Sequence, residues 1–140
     1  MSGVCVPLSV LVIGVDGVVS ESAWQPGPDG GLLRLLQEVV GGSVDVVALD
    51  AETDMWVNDE GIYTEEVNPV ASAVASHVRM QGLQPFYGAA VFTGSPDEDG
   101  VTTGLSVLRG AWLQHVAMAV NAATRAEITA WGEQFAAQFH

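Results

Sequence analysis

Leu32, Leu35, Leu36, Val39 and Val40 fall at i, i+3, i+4, i+7 and i+8, the apolar stripe of one helix, and Gly41-Gly42 follows at once as a left-handed stop. On either side the period shortens to that of a strand. Leu8 to Val15 is an apolar run ending in Asp16-Gly17, a dipeptide that favours a tight turn into Val18-Val19-Ser20, and Ser43 to Leu49 is valine-rich. A hairpin, a helix and a further strand within some fifty residues set the frame for the rest of the chain.

Between the first hairpin and the helix, Gln25-Pro26-Gly27-Pro28-Asp29-Gly30-Gly31 must be a loop, with Asp29 placed to cap the helix. After Ser43 to Leu49, the polar link Asp50 to Asp54 leads to Met55-Trp56-Val57, a second hairpin. Asn58-Asp59-Glu60-Gly61 makes a turn, and Ile62-Tyr63-Thr64 is expected to extend as a short strand. Asn68-Pro69 then opens a helix: Asn68 can accept the orphan amide hydrogens, and Pro69 has none to lose. Val70, Ala71, Val74, Ala75 and Val78 form its buried stripe, to Gly82. Pro85 to Thr93 reads as a strand, residues 94 to 100 as a charged loop, and Val101 to Val107 as a final strand. Leu113, Val116, Ala117 and Val120, then Ile128, Trp131, Phe135 and Phe139, predict two C-terminal helices joined near Asn121, the second opened by a capping box of Thr124 and Glu127.

The order β, β, α, β, β, α, β and then helices mixes hairpins with helices and does not alternate strictly. It predicts an α+β fold: a small mixed or antiparallel sheet, helices packed on one face, and a two-helix C-terminal segment. At 140 residues the chain is expected to form one domain, 1–140, with a single core.

Seventeen carboxylates face four arginines, Arg34, Arg79, Arg109 and Arg125, with no lysine, for a formal net charge of -13. Phosphate backbones are held by neutralising cations, so direct nucleic-acid binding is disfavoured and basic protein surfaces are attracted. Acidity also serves solubility alone. Every apolar run is well under the roughly 20 residues that cross a bilayer, and no cation precedes the apolar N-terminal stretch, so a cytoplasmic protein without membrane contact is expected. Cys5, the only cysteine, excludes an intramolecular disulfide and a multi-thiolate zinc site.

Val39-Val40-Gly41-Gly42, Val44-Asp45-Val46-Val47, Trp56-Val57-Asn58-Asp59-Glu60-Gly61, Val67-Asn68-Pro69-Val70-Ala71-Ser72 and Phe86 to Gly94 follow one another in an order that resembles a family of uncharacterised small domains from actinobacterial phages, plasmids and their hosts. The resemblance covers about residues 30–107. It implies a small α+β domain of mobile-element origin and brings no reaction, cofactor or catalytic residue. The N-terminal hairpin and the helical extension over 110–140 fall outside it.

Chemistry-bearing motifs are sparse. Asp50, Glu52 and Asp54 alternate and could hold a hard cation, but an EF-hand starting at Asp50 would need Gly and Glu where Met55 and Gly61 stand. Asp16 follows an apolar strand as a phosphatase nucleophile does, yet Val18 replaces the second acid and no lysine balances a phosphate. His77, His115 and His140 lack a partner at ligand spacing, Ser76 faces away from His77, and no glycine-rich phosphate loop is present. No cofactor, no metal and no enzymatic activity are expected.

Two functional expectations remain. Asp45, Asp50, Glu52, Asp54, Asp59, Glu60, Glu65 and Glu66 fall within 22 residues free of Lys and Arg, an array suited to a basic protein surface and to nucleic-acid mimicry. Alternatively, Asp45, Asn58, Glu60 and Asn68 converge into a polar pocket for a nucleotide or metabolite. The aromatic C-terminal helices serve the core or a homodimer.

Overall fold

The computed structural model describes residues 7–28 and 31–139. Cys5, the Asp29 cap and His140 lie outside the described residues. In chain order the elements are β1 (Leu8–Ile13), β2 (Val19–Trp24), α1 (Leu33–Val40), β3 (Val44–Asp50), β4 (Thr53–Asn58), α2 (Gly61–Thr64), α3 (Pro69–Arg79), β5 (Ala90–Thr93), α4 (Val107–Met118) and α5 (Ala122–Ala137). The strands form one five-stranded sheet, ordered β2-β1-β5-β4-β3, in which every neighbouring pair is antiparallel. The fold is α+β with a two-helix C-terminal segment.

Side chains alternate across a strand, so the central strands feed two cores. Leu11 and Ile13 of β1, Met55 and Val57 of β4, and Ala90 and Phe92 of β5 meet α3 and α4 through Val70, Val74 and Leu113. Val10 and Val91, with Val12 and Trp56 packed against them, meet Leu32, Leu36 and Val40 of the α1 segment on the opposite face. Helices therefore cover both faces, which corrects the expectation of one. The reason is that β1 and β5 are apolar at successive positions, and a strand apolar on both sides must be covered on both. Each such Leu, Ile or Phe contributes about 1.5–3 kcal/mol by leaving water.

The hairpins, α1 with its left-handed Gly41, and the Asn68-Pro69 helix start form as their local patterns predict. Other boundaries move where tertiary bonds intervene. Ile62-Tyr63-Thr64 is a helical turn and not a strand, because β4 already has β3 and β5 on its two sides. Residues 101–106 make no strand. Leu105 donates its amide to Ser9 O at 2.8 Å beyond the end of β5, and Ser106 then caps α4 by accepting from the Arg109 amide. The strand foreseen over Pro85 to Thr93 is shortened to β5, with an isolated bridge between Tyr87 and Val67. α3 ends on Met80 in the left-handed region, before Gly82. α5 is capped by Asn121, whose Oδ1 accepts from the Thr124 amide at 2.8 Å, so Thr124 and Glu127 lie inside the helix and not in a capping box.

α5 packs on α3. It is pinned by Tyr87, whose hydroxyl donates to Gly132 O at 2.7 Å; burial raises the pKa of that phenol.

Candidate acidic interface

The eight carboxylates of residues 45–66 separate into two groups. Asp50, the last residue of β3, and Glu52, on the turn to β4, are drawn to Arg109 of α4: Nη1 reaches Asp50 Oδ2 at 3.0 Å and Nη2 pairs with Glu52 Oε2. The guanidinium also lies over the Trp112 ring, 4.7 Å from its centroid, in a cation–π contact. Asp50 Oδ1 further accepts the Glu52 amide. The loop thus has its own internal cation, and among the described residues no group of three or more His, Cys, Asp or Glu is placed to hold a metal ion.

Asp54 is removed from the array by burial. It retains 6% of its exposure, opposite Thr93 on β5, with no hydrogen-bonding or ionic partner for its side chain among the described residues. Desolvation raises its pKa above 3.8. Next to it, Trp56 Nε1 donates to Thr93 Oγ1 at 2.9 Å.

The remaining five, Asp45, Asp59, Glu60, Glu65 and Glu66, are exposed and carry no ion pair among the described residues. Hydrogen bonds and strand register set their placement. Asp45 sits on edge strand β3 opposite Val57, near the open end of the hairpin, where the Asp59 amide donates to Ser43 O at 2.9 Å. Asn58 anchors the same turn, giving Nδ2 to Val40 O at the C-terminus of α1 (3.1 Å) and accepting the Glu60 amide on Oδ1 (2.8 Å). Asp59 and Glu60 therefore stand at the negative end of the α1 dipole, which deepens the local negative potential. Glu65 and Glu66 follow α2 and lie along residues 87 and 88: the Gly88 amide donates to Glu66 O at 2.8 Å, and a Cβ at Gly88 would meet Glu65 Cγ at 2.9 Å. Gly88 also has a φ of 83°, so its lack of a side chain is what brings the acidic segment flush with the sheet.

Glu65 and Glu66 line an open groove of about 540 Å³ together with Tyr87 and with Glu133 of α5. Glu133 joins the acidic surface only through the docking of α5, 67 residues along the chain from Glu66, and no local pattern marks it.

The other residues expected to form a pocket are divided. Asn68 is fully buried, with Nδ2 donating to Ile13 O and Gly88 O, both at 2.9 Å, and Oδ1 accepting the Ala71 amide at 3.0 Å. A side chain so enclosed cannot reach a ligand shared with exposed Asp45 and Glu60. Asn58 serves the end of α1. Both asparagines hold backbone together.

The family described as "Domain of unknown function (DUF3846)" matches residues 8–117. That span takes in the N-terminal hairpin and nearly all of α4, and so widens the 30–107 resemblance at both ends; α5 lies beyond it. No curated protein and no solved structure matches the chain significantly.

Proposed function

We propose, from the premise that this chain belongs to the DUF3846 family, that it is a non-enzymatic interaction protein whose acidic end engages a basic protein surface. The observation that carries the reading is the exposed set Asp45, Asp59, Glu60, Glu65 and Glu66, without an ion pair among the described residues and extended by Glu133 in the same groove. Within 45–66 there is no arginine; Arg109 of α4 neutralises only Asp50 and Glu52 of that segment, and Arg34 pairs with Glu38 on α1. Such an array attracts cations at long range and repels phosphate, which favours nucleic-acid-binding proteins as partners and nucleic-acid mimicry as the mode. A cytoplasmic setting and the mobile-element origin implied by the sequence resemblance belong to the same reading.

The test is affinity capture from cell lysate by the full chain and by a variant carrying Asp45→Asn, Asp59→Asn, Glu60→Gln, Glu65→Gln and Glu66→Gln. The unmodified chain is expected to retain basic proteins in a salt-sensitive manner and the variant to lose them. Recovery of the same partners by both would refute the reading.

A further inference from the structure

We infer that α4 is the interface of a homodimer, covered by α4 of a second copy of this chain. Its inner side, Gly110, Leu113 and Ala117, packs on the core, yet its outer side is also apolar. Val107, Leu108 and Met118 retain 89%, 84% and 80% of their exposure, with Ala111 and Trp112 between them and the polar Gln114 and His115 alongside. Exposed apolar side chains gathered on one helix face mark a surface that another molecule covers.

The spacing suits another helix. Leu108, Ala111, His115 and Met118 fall at i, i+3, i+7 and i+10, the seam along which two helices pack, and the small Ala111 near its middle allows close approach. The surface relief is self-complementary as well. α4 stands as a ridge between two grooves of similar size, one of about 360 Å³ toward Ser9 and Glu21 and one of about 350 Å³ toward Glu52 and Trp112. Across a two-fold axis the ridge of each copy enters a groove of the other.

Charge selects the occupant. A chain of net charge -13 repels its own copies, but no carboxylate lies between Asp99 and Glu127 in the sequence. The two carboxylates flanking the ridge are held in place, Glu21 by Gln114 Nε2 at 2.9 Å and Glu52 by Arg109. No carboxylate lies on α4 itself, so its outer side is where a like-charged molecule can approach.

Sedimentation equilibrium on the full chain tests the inference. The mass is expected to rise from 14.6 kDa toward twice that value as concentration enters the high micromolar range, and to do so more readily in salt, which screens the repulsion. Leu108→Glu and Met118→Glu, at exposed positions where the fold tolerates them, should each hold the protein at the monomer mass with an unchanged circular dichroism spectrum. Trp131→Ala, on α5, should leave the dimer intact. A monomer at all concentrations, or a dimer indifferent to both glutamates or dissociated by Trp131→Ala, overturns it. The salt response is opposite in sign to that of the acidic interface, so the two surfaces are separable.

Discussion

Replacing Asn68 probes the junction on which the fold turns. Its amide joins the end of β1, the turn before β5 and the start of α3 through three hydrogen bonds, all without solvent access. Asn68→Ala removes the N-cap, at about 1 kcal/mol, and both carbonyl contacts, at about 1–1.5 kcal/mol each. With the small void left behind, the expected loss is about 3–5 kcal/mol against a total of about 5–15 kcal/mol for a domain. Asn68→Ser retains a cap acceptor but cannot span to Ile13 and Gly88, so its loss should be about 2–3 kcal/mol. Asn68→Asp keeps the acceptor facing Ala71 while setting a carboxylate oxygen against two carbonyls, and should be at least as damaging as Ala. Urea unfolding followed by tryptophan fluorescence gives all three values from midpoints at a common slope. A loss under about 1 kcal/mol for Ala, or Ser no better than Ala, would show that the junction is not held by this side chain.

Two further outcomes follow from buried groups. Asp54 has a raised folded pKa, so its protonated form is favoured on folding; that stability is present below the unfolded value near 3.8 and is lost as pH rises through the folded one. Asp54→Asn should therefore match the parent in acid and exceed it at neutral pH, measured by urea midpoints across pH, and a constant gap would contradict the linkage. Gly132→Ala places a Cβ 2.5 Å from Val67 Cγ2, where α5 crosses the 61–67 segment; the expected loss is about 1–3 kcal/mol, despite alanine's better helix propensity. A more stable variant would mean that α5 docks more loosely than this contact requires.

Local chemistry was sufficient for much of this molecule. The Leu32 to Val40 stripe, the Asp16-Gly17 turn, the β3–β4 hairpin and the Asn68-Pro69 helix start are each encoded within about ten residues, since periodicity, caps and turn residues act over one or two turns. The acidity of residues 45–66 was equally plain. What the sequence by itself could not decide is which of those acids remain free. Arg109 takes Asp50 and Glu52 from 57 or more residues away, and strand pairing buries Asp54, while α5 brings in Glu133. Tertiary structure likewise turned Asn68 from a cap into a junction, denied residues 62–64 and 101–106 a place in the sheet, and left the outer face of α4 apolar and uncovered. The physical reason is common to all of these: free strand edges, ion-pair partners and burial are properties of the assembled sheet and helices, and no short window of sequence contains them.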